Sequence, residues 1–115
     1  MNDCIFCKIN EGIIPSKKYY EDDLMFIIAD IEPKAKLHYL MIPKKHYKLL
    51  ADMTEEDSQN LAKCLAKLPE IAPSLGLSGG FRLTINQGDD AGQTVHHLHV
   101  HVMGGQELDF PDLKK

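Results

Sequence analysis

Val95-His96-His97-Leu98-His99-Val100-His101-Val102-Met103 is the stretch on which the reading of this chain turns. On extended backbone, side chains two residues apart share a face. Read as a strand from Val95 to Met103, it projects His97, His99 and His101 together. Leu98, Val100 and Val102 then cover the core, and His96 falls toward that apolar side. The chain has six histidines, and four of them stand here. A single histidine on such a face is usually a satisfied core or surface residue. Three compete for protons without helping packing, which points to a functional cluster.

Two chemistries fit three alternate histidines. Alternating imidazoles can chelate zinc and leave a coordination position open for water. Alternatively, one neutral imidazole attacks phosphorus while its neighbours orient it and stabilise charge. The preceding run, Asn86-Gln-Gly-Asp-Asp-Ala-Gly-Gln-Thr94, is turn chemistry throughout. Its Gly88, Gly92, Gln93 and Thr94 offer flexible backbone, exposed N–H donors and a hydroxyl beside the histidines, a cradle suited to phosphate oxygens. The loop tilts the balance toward nucleophilic catalysis.

Upstream, Phe81 to Asn86 alternates, with Phe81, Leu83 and Ile85 opposite Arg82, Thr84 and Asn86. Thr54 to Leu68 is the clearest helix. Thr54 caps it, Asp57 completes a capping-box-like start, and Leu61, Cys64, Leu65 and Leu68 form one apolar stripe. Pro69 and Pro73 are expected to end or kink it. Cys64 on that stripe reads as core. His38 to Ile42 alternates, placing His38, Leu40 and Ile42 opposite Tyr39 and Met41, and Pro43 closes the strand. Leu24 to Ala29 suits a strand buried on both faces, followed by a turn at Asp30-Ile-Glu-Pro33. A short helix is expected from Cys4 to Gly12. Strands around one long helix, with short connections, indicate an α+β domain on an antiparallel sheet.

Composition bounds the function. At 115 residues the chain is read as one domain, residues 1–115. A net charge of −4 gives no basic excess for wrapping a nucleic-acid backbone. The longest apolar run, Leu24 to Ala29, is too short to span a bilayer, and Met1-Asn2-Asp3-Cys4 lacks a signal-peptide pattern. A cytoplasmic location without membrane or nucleic-acid partners is therefore expected. There, Cys4-x-x-Cys7 reads as metal or redox chemistry rather than a disulfide framework.

His97-Leu98-His99-Val100-His101-Val102-Met103 resembles the His-φ-His-φ-His-φ-φ signature of the histidine triad (HIT) family. The surrounding Asn86 to Gly105, with Gly92-Gln93-Thr94-Val95 inside, is similar to the Hint branch. So are Asp30-Ile31, His38 to His46 and Cys4-Ile5-Phe6-Cys7-Lys8-Ile9, so that the resemblance covers nearly the whole chain in order. It implies a five-stranded antiparallel sheet with one long and one short helix, merged across a two-fold axis into a homodimer. The activity it implies is hydrolysis of purine nucleoside 5′-phosphoramidates, releasing an amine and AMP or GMP through a covalent nucleotidyl-histidine on His99. His101 would contact phosphate oxygens and help the leaving group, and Thr94 stands where many relatives carry Ser. Asn86 and the Gly92-Gln93 backbone would line the phosphate site. Asp30 would hold the ribose hydroxyls, with Ile5, Phe6, Ile14, Ile28 and Ile31 around the base. His96 replaces a common Tyr or Phe, and Asp109-Phe110-Pro111 resembles the C-terminal aromatic-Pro segment that reaches toward the neighbouring subunit's site.

The same resemblance, to those members that carry the cysteines, implies a structural zinc held by Cys4, Cys7, His46 and His97. A closed Cys2His2 set would staple the N-terminal segment to the sheet and withdraw His97 from catalysis. His38 would then steady the remaining histidines. Three rival functions remain at this stage. One is hydrolysis of dinucleoside polyphosphates by the same fold, a branch that typically has Gln where His101 stands. The others are a regulatory nucleotide-binding module with vestigial catalysis, and metal-dependent hydrolysis by the triad itself.

Overall fold

A computed structural model describes residues 3–109, which leaves Phe110 and Pro111 of the expected C-terminal segment outside the described residues. The elements run α1 (Ile5–Asn10), β1 (Tyr20–Glu21), β2 (Met25–Ala29), β3 (Leu37–Pro43), α2 (Glu55–Ile71), β4 (Phe81–Thr84) and β5 (Val100–Gly104). Short 3-10 turns lie at Leu50–Asp52, Ala72–Leu75 and Asp89–Ala91. The five strands form one antiparallel sheet in the order β1-β2-β3-β5-β4. The expected sheet, with one long and one short helix, is the one observed. No helix of the described residues is long and apolar enough to cross a membrane.

Alternation along the central strands divides the core into two clusters, one on each face. Met25 and Ile27 of β2, Tyr39 and Met41 of β3, and Val100 and Val102 of β5 pack under α2. There they meet Leu61, Cys64 and Leu68, the stripe that the helical period set. Phe26, Ile28, Leu40 and Ile42 face the other way, against Phe6 and Ile9 of α1. The unbroken apolar run Met25 to Ile28 is thus explained, alternate residues serving each cluster, while Ala29 at the strand end is exposed.

The N-terminus of α2 carries the capping box read from Thr54 and Asp57, with Thr54 Oγ1 accepting from Asp57 N–H at 3.1 Å and Asp57 Oδ2 from Thr54 N–H at 3.0 Å. The end or kink expected at Pro69 and Pro73 is resolved as an end just before Pro73, later than the Leu68 read from the sequence. The helix runs through Pro69 to Ile71. An interior proline costs about 3 kcal/mol, but Leu68 and Ile71 on the same last turn are both buried. Burial of such side chains contributes about 1.5–3 kcal/mol each, enough to hold the turn.

The last strand is also shorter than the alternation suggests. It begins at Val100, not Val95. Met41 opposite Val100 is the final pair of the β3–β5 ladder, and continuing the register would set Leu98 against Pro43, which has no N–H to donate. Residues 95–99 instead follow an irregular path tied by Leu98 N–H to Tyr47 carbonyl, 2.7 Å. His96 consequently does not face the core, as a continuous strand would require, but stands exposed.

Candidate functional site

The described residues hold a cavity of about 460 Å³ between α1, the C-terminal end of β2 and the loop before β5. Its walls include His99 and His101, the loop residues Asn86, Gly92, Gln93 and Thr94, and Asp30. Ile5, Phe6, Ile14, Ile28 and Ile31 complete the set expected from the sequence. This volume falls within the roughly 300–1,000 Å³ of small-molecule sites, whose usual lining is largely apolar with a few polar groups, as here. Phe6 and Ile28 are buried in its floor, while Ile5 and Ile31 are exposed at its rim, Ile31 at 94%. Sequence reasoning missed Ile9, Pro15, Ser16, Ala29, Glu32, Leu40 and Val95, which also line it. They carry no signal of their own, being ordinary apolar and turn residues brought in by the packing of α1 on the sheet.

Hydrogen bonds set the tautomers of His38, His101 and His99. Lys34 N–H donates to His38 Nδ1 at 2.9 Å, so the ring proton of His38 sits on Nε2. That Nε2–H donates to His101 Nδ1 at 2.9 Å, leaving the His101 proton on Nε2. His101 is therefore a donor on its remaining edge. His99 has the opposite assignment: Nδ1–H donates to the carbonyl of His97 at 2.8 Å, and Nε2 keeps its lone pair. The rings of His99 and His101 lie 5.1 Å apart between centroids, and Phe6 packs edge-on against His99, also at 5.1 Å. A lone-pair nitrogen and an N–H donor thus stand side by side at one cavity.

Burial keeps the His38–His101 pair neutral. Burial pushes the His101 ring down to about 4, helped by the neighbouring His99 and His38. Burial also lowers His38, with Asp30 opposing it. Asp30 sits with Oδ2 3.4 Å from His38 Nε2, while its Oδ1 accepts from Glu32 N–H at 2.8 Å. His38 itself is buried and does not line the cavity. It touches two residues that do line the cavity, His101 and Asp30.

In the loop, one expectation is corrected. Gly92 and Gln93 do line the cavity, but their N–H groups are already committed, to Asp89 carbonyl at 2.9 Å and Gly88 carbonyl at 3.1 Å. The tight 3-10 turn at Asp89–Ala91, with Gly92 at φ +81°, consumes them. The Gln93 side chain is equally occupied: it accepts from Gly88 N–H at 2.9 Å and donates to Lys48 carbonyl at 3.0 Å and Val95 carbonyl at 3.3 Å. Gln93 braces the loop. Thr94, exposed at the wall, and Asn86, whose carboxamide is not engaged by another described residue, supply the polar groups that face the cavity.

His97 does not join this cavity. Its ring is 1% exposed and turns into a second cluster with Cys4, Cys7 and His46. Four ligand atoms converge there: His97 Nδ1 lies 3.3 Å from Cys4 Sγ, 3.6 Å from Cys7 Sγ and 3.1 Å from His46 Nδ1, and Cys7 Sγ lies 3.3 Å from His46 Nδ1. Zinc bonds of about 2.0 Å to nitrogen and 2.3 Å to sulfur place tetrahedral ligand atoms roughly 3.3–3.8 Å apart. His97 Nε2–H donates to Pro43 carbonyl at 2.8 Å, which leaves the Nδ1 lone pair aimed at the cluster, as metal ligation needs. The residues fit the metal.

Asp30, His38 and His101 also bring three ligand-type atoms together. They do not fit. Metal on His38 Nε2 would put the ring proton on Nδ1, facing the Lys34 N–H, donor against donor. The hydrogen bonding of His38 therefore tells against a metal held by Asp30, His38 and His101.

Comparison with known proteins places these features. The family model described as "Scavenger mRNA decapping enzyme C-term binding" matches residues 3–111. The chain is 48% identical over 104 residues to Protein HitA of Neisseria gonorrhoeae, covering 90% of this chain and 97% of that protein. Among solved structures, a HIT family hydrolase from Legionella pneumophila superposes with a TM-score of 0.87 at 39% identity, over 95% of this chain and 98% of that one. A zinc-bound histidine triad family protein from Mycobacterium smegmatis superposes with a TM-score of 0.78 at 36% identity, over 93% and 78%.

Proposed function

The chain belongs to the histidine triad family, and from that premise we propose that it is a nucleotide hydrolase of the Hint type, cleaving the P–N bond of purine nucleoside 5′-phosphoramidates. One observation carries the reading: His99 Nε2 keeps its lone pair beside the His101 Nε2–H donor at a cavity of largely apolar lining.

The purine lies between Ile5, Phe6, Ile14, Ile28 and Ile31, and Asp30 accepts from the ribose hydroxyls. Thr94, Asn86 and His101 hold the phosphoryl oxygens as donors. His99 Nε2 attacks phosphorus, the P–N bond breaks with its electron pair going to nitrogen, and the departing amine takes up a proton from solvent. The His97 carbonyl keeps hold of the Nδ1–H, so positive charge on the nucleotidyl-imidazolium is stabilised where it forms. Water then attacks phosphorus, the bond to His99 breaks, AMP or GMP leaves, and one proton returns to solvent. The sum is hydrolysis.

A neutral His101 is part of the design. A donor with its proton held by tautomer rather than by charge stabilises an oxyanion at neutral pH without first having to be protonated. His38 is a positioning residue in this scheme, acting through His101.

Zinc at Cys4, Cys7, His46 and His97 would be a closed structural centre that cross-links α1 to the segment before β5 and takes no part in the bond changes. The M. smegmatis relative is zinc-bound, which supports this assignment. We further propose a cytoplasmic homodimer whose sheets join across a two-fold axis. The test of the reaction is direct: incubate the protein with an adenosine 5′-phosphoramidate, quench within the first turnover, and map adducts by mass spectrometry. An adenylyl group on His99 and release of AMP are expected. AMP binding without adduct or turnover would overturn the enzymatic reading in favour of a regulatory binding module.

A further inference from the structure

We infer that metal at Cys4, Cys7, His46 and His97 and nucleotide in the cavity bind cooperatively, each tightening the other, through His97 and Phe6. This rests on the reading of the cavity as a nucleotide site, and of the cluster as a metal centre.

His97 has three anchors and serves two sites with them. Its Nδ1 points into the metal cluster, its Nε2–H is held by Pro43 carbonyl at 2.8 Å, and its own carbonyl accepts from His99 Nδ1 at 2.8 Å. Whatever fixes the ring of His97 therefore fixes the carbonyl that selects the tautomer of His99. Phe6 makes the second link. It lies in α1 between the two cysteines and packs edge-on against both rings, 5.8 Å from His97 and 5.1 Å from His99 between centroids.

α1 itself is only six residues long. Helices that short do not persist alone in water, so its place depends on what ties it down. Phe6 and Ile9 are buried beneath it, and its N-cap is the Cys4 sulfur, which accepts from Cys7 N–H at 3.4 Å. Yet α1 supplies Ile5, Phe6 and Ile9 to the cavity wall. Bound metal cross-links the helix to positions far along the chain. Without it, the ties from Cys4 and Cys7 to His46 and His97 are thiol–imidazole contacts of 3.3–3.6 Å, much weaker than metal bonds, so the docked fraction of α1 falls. Nucleotide binds the docked form, so its apparent affinity falls by the docked fraction. Linkage then requires the same factor in the other direction.

The test uses the zinc-loaded protein and a chelating dye. Zinc affinity is measured by competition with and without saturating AMP, and AMP affinity is measured for the zinc-loaded and metal-stripped protein. AMP is expected to tighten zinc about fivefold or more, and zinc to tighten AMP by the same factor. Phe6→Leu, which keeps an apolar side chain under α1 but removes the ring, is expected to bring both factors toward one while zinc is still bound. Should stripped protein unfold, the zinc arm alone decides, since it starts from the loaded form. Zinc affinity indifferent to AMP, with AMP shown to bind, overturns the coupling and leaves the nucleotide site standing. Failure of AMP to bind either form overturns both.

Discussion

His38 and His101 meet edge to edge, Nε2 to Nδ1 at 2.9 Å, and the proton between them belongs to His38 because Lys34 N–H already occupies its other nitrogen. A main-chain amide thus determines which nitrogen of His101 faces the cavity as a donor. The arrangement needs no charge, and burial lowers both rings.

Replacing His38 by Phe keeps the volume and removes the donor. His101 is then free to place its proton on Nδ1. Removing an oxyanion donor outright costs roughly 10²–10³ in kcat, and this indirect loss is expected to cost about tenfold or more in kcat with KM little changed. A rise in KM alone, at unchanged kcat, would contradict the relay.

His99→Ala is expected to lower turnover of an adenosine phosphoramidate by about 10⁴-fold or more, the scale seen when a nucleophile is removed. AMP affinity and zinc content should stay near wild type, because the ring contributes no ligand to the metal cluster. Calorimetric AMP titration and metal analysis check both. Loss of zinc from this variant would point instead to a metal bound by the triad.

The pH dependence of stability has a definite sign. His101 sits at about 4 in the folded chain, with His38, His99, Asp30 and Lys34 around it, against roughly 6.5 when unfolded. Between those values the unfolded chain binds the extra proton, so stability is fully present above about 6.5 and declines as pH falls toward 4. His101→Gln should show a shallower fall in Tm across that window than the parent. Parallel curves would show that His101 does not titrate in this way.

Gln93→Leu leaves Gly88 N–H and the Lys48 and Val95 carbonyls without their side-chain partner. Each unsatisfied buried group costs about 1–3 kcal/mol, though water will satisfy those at the surface. A stability loss of about 2 kcal/mol by urea denaturation is expected, with weakened AMP binding as Thr94 loses its support. Unchanged stability would mean that the loop is held by its main chain alone.

Cys7→Ser should abolish stoichiometric zinc, measured by metal analysis, and lower Tm by several degrees. The parent, treated with a strong chelator, should fall to a similar Tm. A parent whose Tm is unmoved by zinc removal would rule out a stabilising role for the centre.

Much of this was legible before any coordinates. Alternation placed Leu98, Val100 and Val102 on the side opposite His99 and His101, and the period of α2 picked out Leu61, Cys64 and Leu68. Local patterns survive because each follows from the geometry of one element. Where a neighbour intervenes they fail: Pro43 opposite Leu98 ends β5 at Val100, and buried side chains carry α2 past Pro69. The loop shows the same limit, since composition announces donors but not that the turn at Asp89–Ala91 spends two of them on itself.

The order of residues by itself determined two faces to a sheet, one long amphipathic helix and a row of imidazoles beside a glycine-bearing turn. Tertiary structure alone decided what each imidazole is for. His97, His99 and His101 are chemically identical in the chain, and become a ligand-type nitrogen, a lone pair and a donor because a Pro43 carbonyl, a His97 carbonyl and, through His38, a Lys34 amide happen to reach one nitrogen of each. Main-chain groups carry no side-chain signature, so no reading of residue types could have assigned those protons.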